Sequence, residues 1–165
     1  MSPDQESISE DHTEVVDAAF KEIMQSMCGV SIEETASFDE SILADGVIIA
    51  VISLIGAVEW SIFIGLPKET AEKMSEAFCG FPIPFESEDM GDAAGEVANI
   101  AAGTVKSNLH RKGVEADISL PNVLRASNLE VLVTGQSRAR KTCYDSPFGK
   151  MWTGLVIGKS NEFVA

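Results

Sequence analysis

The chain is poor in bases. Of its 165 residues, 12 are Lys or Arg against 26 Asp or Glu, for a net charge of −14. General nucleic-acid binding is excluded, because phosphate contacts require clustered Lys and Arg. The nearest candidate patch is Arg138, Arg140 and Lys141. At strand spacing its two arginines share a face, and it reads as a solvated strand surface. Cysteine is scarce and odd in number: Cys28, Cys79 and Cys143, widely spaced, with no CxxC. A disulfide framework is therefore not expected, and a reducing compartment with inert thiols is. The two histidines, His12 and His110, have no second ligand at metal-binding spacing, so no metal site is expected. A basic leader is also missing, since "MSPDQESISEDHTE" is acidic and polar where a secretory n-region would be basic. The expectation is a cytoplasmic protein with an acidic flexible tail over 1–12 and a single domain over 13–165.

What the chain does have is one long apolar run. "VIIAVISLIGAVEWSIFIGL", Val47 to Leu66, is twenty residues long with one charge, enough to span a bilayer. It is rich in β-branched residues, however, and Gly56 sits midway, where a turn would divide it into two buried strands. Glu59 would lie near a membrane centre at a cost of about 2.5–3.5 kcal/mol. A β-hairpin over 46–66 is the expectation, with no membrane insertion.

Thr13 to Cys28 places Val16, Ala19, Phe20, Ile23 and Met24 at helical spacing, with Gly29 as a stop. Pro67 opens a short helix through Phe78, and Gly80 ends it. A long helix is expected from Glu88 to Arg111, stopping at Gly113. "VEADISLP" reads as a strand with Ala116, Ile118 and Leu120 on one face. Further strands are expected near Val131–Thr134, 137–144 and 150–157, with "SPFG" as a turn. This order implies an α+β layered domain: a mostly antiparallel sheet with a long site-bearing helix and additional helices packed on it.

Charge is unevenly distributed. Residues 1–96 hold 21 acids and 3 bases, whereas residues 97–165 hold 5 acids and 9 bases. Within the long helix, "DAAGEVANIAAG" sets acids and an amide among small residues. At about 100° per residue, Asp92, Glu96, Asn99, Gly103 and Lys106 form one stripe within about 40° of Asp92. Met90, Ala94, Val97, Ala101 and Val105 form the opposite, core-facing side. Glycine within a helix costs about 1 kcal/mol relative to alanine. Gly103 in the stripe and Gly95 at its border are read as lowering it, so that another surface can approach around Glu96 and Asn99.

Asp92, three residues, Glu96, two residues, Asn99, and Pro121 after twenty-one more resemble the signature of the CheC/CheX/FliY family of response-regulator phosphatases. Gly103, the "ISLP" stretch at 118–121 and "LPKETAEKMSEAFCG" at 66–80 add to the resemblance, which spans roughly 13–157. Two-site members of that family carry a second Glu and Asn on the first helix. Here Asp17 is followed at those offsets by Lys21 and Met24, which points to the single-site CheX branch.

The resemblance implies hydrolysis of the aspartyl phosphate of a CheY-like response regulator. Asn99 would orient the attacking water, and Glu96 would pair with a lysine of the receiver. Asp92 would support docking or the helix start, and Pro121 would shape the nearby loop. Mg²⁺ would be supplied by the receiver, with no cofactor held by the chain itself. A homodimer is also implied. The competing expectation is a docking module that binds phosphorylated receivers without hydrolysis.

Overall fold

In a computed structural model, the structure describes residues 4–127 and 138–158, with side chains described from Thr13 and, after the gap, from Ala139. The helices are α1 (Asp4–Cys28), α2 (Lys68–Cys79) and α3 (Glu88–Arg111). The strands are β1 (Glu33–Thr35), β2 (Val47–Gly56), β3 (Glu59–Pro67), β4 (Ala116–Ile118), β5 (Asn122–Ala126), β6 (Arg138–Ser146) and β7 (Gly149–Ile157), and a short 3-10 helix covers Glu40–Asp45. They form a seven-stranded sheet in the order β1-β6-β7-β3-β2-β4, with β5 also paired to β2. Every strand pairing is antiparallel.

The apolar run is the expected hairpin. β2 and β3 pair from Val47–Pro67 to Ile55–Glu59, and Gly56 adopts a φ of 152° at the turn. No helix among the described residues is long and apolar enough to cross a membrane. Alternation along β2 divides its side chains between two faces. Ile48, Ala50, Ile52 and Leu54 join the main core under the helices, whereas Val47 and Ile49 join a smaller cluster on the other face with Leu43, Cys143 and Trp152. The Trp152 ring lies so close over Gly65 that an added Cβ would fall 2.0 Å from it, so no other residue fits there.

α3 is central and contacts β2, α1 and α2. Its inward side is rich in alanine: Ala94, Ala98, Ala101 and Ala102 are buried beside Met90, Val97, Val105 and Leu109. Small side chains allow neighbouring elements to approach closely, and alanine is also the strongest helix former. Ser87 caps its start by accepting from the Met90 N–H at 3.2 Å, with Glu88 and Asp89 in the first turn and His110 and Arg111 in the last. These charges suit the helix dipole at both ends.

Several elements differ from the expectations. α1 begins at Asp4 rather than Thr13. β1, the 3-10 helix and β5 were not anticipated. The strand expected at 114–121 is limited to Ala116–Ile118, and Leu120 does not share a buried face with Ala116, being 86% exposed. The strand expected near Val131–Thr134 lies outside the described residues.

Candidate functional site

The polar stripe of α3 faces outward. Asp92, Glu96, Asn99 and Gly103 are exposed and Lys106 is half-buried, while Met90, Ala94, Val97, Ala101 and Val105 are buried. Glu96 and Asn99, three residues apart, are neighbours on the helix surface. A Cβ placed on Gly103 would meet nothing within 4 Å, so the glycine leaves a bare notch one turn beyond Asn99.

Gly95 serves a different purpose from the one expected. It is buried, and a Cβ there would lie 3.6 Å from both Pro121 and Val123. It admits the β4–β5 connection against α3 rather than lowering an open stripe. Pro121 thus packs on the helix one residue before Glu96. Further along, the Lys106 ammonium donates to Asp117 of β4 at 3.4 Å. The connection forms one bank of the stripe. On the opposite side, a shallow apolar groove between α1, α2 and α3 is lined in part by Met27, Cys28, Phe78 and Ile100.

Arg125 was not singled out by the sequence. Its guanidinium donates to the backbone carbonyls of Glu86 at 2.7 Å and Ser87 at 2.6 Å, and lies 5.8 Å from the Phe85 ring centre. Lys68 donates to Glu86 at 3.1 Å. That bond holds the Glu86 carboxyl below its usual range and raises the Lys68 ammonium. Together they tie the entry of α3 to β5 and α2, and so fix where the stripe begins. A lone arginine in a five-residue edge strand carries no sequence signal for this role.

At the offsets compared with α3, the first helix presents Lys21 and Met24 in place of a second Glu and Asn. Met24 is 1% exposed in the core, and Asp17 accepts from the Tyr144 hydroxyl at 2.6 Å and pairs with Lys21 at 3.0 Å. The cysteines form no disulfide. Burial pushes the Cys28 thiol up, with the nearby Cys79 adding to the effect, and burial likewise raises Cys143. His110 pairs with Glu115 at the far end of α3. Lys141, part of the small basic patch, is engaged with Glu40 at 3.5 Å. Among the described residues, no group of three or more His, Cys, Asp or Glu is placed to hold a metal ion.

An antiparallel sheet covered on one face by three helices, the central one presenting an outward Asp-Glu-Asn stripe, defines a layered α+β domain. Residues 48–144 match the family described as Chemotaxis phosphatase CheX, and the chain belongs to that family. No curated protein matches the chain by sequence. Among solved structures, the chemotaxis protein CheX from Vibrio vulnificus superposes with a TM-score of 0.78 at 16% identity, over 89% of this chain and 96% of that one. CheX in the CheX-CheY-BeF3-Mg²⁺ complex from Borrelia burgdorferi gives a TM-score of 0.69 at 24% identity, over 88% and 96%. FliY from Thermotoga maritima gives 0.68 at 14% identity, over 96% and 92%. At these identities the likeness concerns the fold, which is the α+β layered architecture expected from the sequence.

Proposed function

We propose that the chain is a phosphatase acting on the aspartyl phosphate of a CheY-like response regulator. The observation that carries this reading is the placement of Asn99 and Glu96, exposed and one turn apart on the outer face of a helix whose other side is sealed in the core. Family membership supports it, as does the CheX–CheY complex among the structural neighbours.

The chemistry asks little of the protein beyond position. An acyl phosphate is already activated, and phosphoryl transfer depends largely on alignment and electrostatics. The uncharged Asn99 amide can both donate to and accept from a water without repelling the phosphoryl group. Held in line, that water attacks phosphorus, the bond to the receiver's aspartate breaks, and inorganic phosphate leaves. Glu96 pairs with a receiver lysine and sets the register. Asp92 supports the docking edge near the positive end of the helix dipole. Gly103 admits the partner, and Pro121 shapes the bank beside it. Mg²⁺ comes with the receiver. A cytoplasmic location and a homodimer belong to the same proposal, the latter tested by sedimentation.

Phosphorylated CheY-like receivers from the source organism, incubated with and without the chain, test the reading. Accelerated release of inorganic phosphate is expected. Binding without acceleration assigns a docking module instead.

A further inference from the structure

Between β4 and β5 the edge of the sheet carries one residue too many. Leu54 pairs with Ile118 and Val51 with Asn122, so Ile52 and Ser53 of β2 face Ser119, Leu120 and Pro121. Two residues opposite three make a β-bulge, a device that re-aims a side chain at a sheet edge. Proline, which has no N–H to give to a ladder, is at home at such a site. The bulge gives Pro121 the helix-facing place that strict alternation assigns to Leu120. Pro121 sits against Gly95, and Leu120 is turned out to 86% exposure.

Isolated exposed leucines are ordinary on protein surfaces. Leu120 differs in three respects. It is the most exposed large apolar side chain among the described residues. Its backbone is held on both sides: the Ser119 N–H donates to the Ser53 carbonyl at 2.9 Å, the Ser119 hydroxyl accepts from the Ser53 N–H at 3.0 Å, and Pro121 is packed on α3. It also stands beside the stripe. The connection runs along α3 from Gly95, at Pro121, toward Lys106, which reaches Asp117. One residue back from Pro121 is about 3.4 Å along an extended chain, and α3 rises about 1.5 Å per residue. The backbone of Leu120 therefore lies level with Glu96–Asn99 along the flank of α3.

The stripe is convex and banked on one side by the β4–β5 connection, so a partner must supply the concavity and much of the contact. We propose that Leu120 is the apolar anchor for the phosphorylated receiver: a positioning residue that buries against the receiver domain while Glu96 and Asn99 reach its phosphoryl site. This rests on the phosphatase reading. A side chain held on fixed backbone loses little freedom on docking, which favours it as an anchor.

The test compares Leu120→Ala and Leu120→Asp with wild type and with Leu124→Ala. Leu124 is also exposed, at 50%, but stands four residues further along the edge, beyond Pro121 and toward the start of α3, away from Glu96 and Asn99. Steady-state dephosphorylation is measured on CheY-like receivers charged with acetyl phosphate, and binding on the same receivers loaded with beryllofluoride and Mg²⁺. Leu120→Ala is expected to raise KM and Kd about tenfold, in keeping with the loss of one buried leucine, and Leu120→Asp more. The kcat at saturating receiver should stay within about twofold of wild type. Thermal midpoints should not change, and Leu124→Ala should behave as wild type. Leu120 variants whose KM and Kd match wild type, or that lower kcat alone, overturn the inference while leaving the phosphatase reading intact. A wild type that neither binds nor dephosphorylates any receiver overturns both.

Discussion

The Tyr144 hydroxyl donates to the Asp17 carboxylate at 2.6 Å, tying strand β6 to helix α1, which packs against the site-bearing helix. Tyr144 is the only tyrosine of the chain and is fully buried. Burial first, and the bond to Asp17 second, push its phenol well above the usual value of 10.0. The folded state therefore holds this proton more tightly than the unfolded chain. The linked stability is complete below the unfolded value and declines as pH rises through it toward the folded one. Phenolate absorbance near 295 nm should stay absent from the native protein at pH values where free tyrosine ionises, and should appear only together with loss of circular dichroism. Tyr144→Phe should cost about 1 kcal/mol in urea unfolding.

Arg125 bridges β5 to the carbonyls of Glu86 and Ser87 at the entry of α3. Arg125→Ala removes two hydrogen bonds from a charged donor, and a destabilisation of about 1–2 kcal/mol is expected. Amide exchange should quicken first over 85–90, the α3 entry, and not at Val105 or Leu109.

Gly103 stands in open space, with nothing within 4 Å of an added Cβ. Gly103→Ala should therefore stabilise the chain by about 1 kcal/mol through helix propensity alone. If the receiver enters the notch, the same change lowers kcat/KM. A variant that is more stable and fully active excludes close approach at this position.

The legible parts of this fold are those with periodic burial and clear punctuation. α3 runs over the expected residues because Ser87, the apolar spacing and Gly113 mark both ends, and the hairpin follows from β-branched density around Gly56. α1 extends to Asp4 through "DQESISED", which has no apolar period to signal a helix. β5 was hidden because its helix-facing side includes Arg125 as well as Val123, which breaks the alternation that identifies strands. The outward stripe was legible from helical geometry alone. The role of Gly95 was not, because the contact with Pro121 joins positions far apart in sequence. Pro121 was legible as the end of a strand, but the bulge that takes Leu120 off the face shared by Ala116 and Ile118 was not, because it follows from the register of β4 and β5 on the distant β2.

Glu96 is exposed, so Glu96→Ala should leave stability within about 0.5 kcal/mol. Its expected effect is on docking. Association with the receiver should slow, kcat/KM should fall, and the variant should lose part of the salt dependence seen with wild type, as for other charges at an interface. Stopped-flow association at low and high ionic strength checks this. Equal salt dependence in the two proteins counts against a charge pair at Glu96.

Asn99 is the centre of the account, and a single paired measurement addresses it most directly. Phosphate release from a phosphorylated CheY-like receiver is followed with wild type and Asn99→Ala side by side, alongside binding of each to the same receiver loaded with beryllofluoride and Mg²⁺. The expected result is loss of acceleration in Asn99→Ala with receiver binding retained. An Asn99→Ala protein that releases phosphate at the wild-type rate would contradict the positioning of water by this side chain.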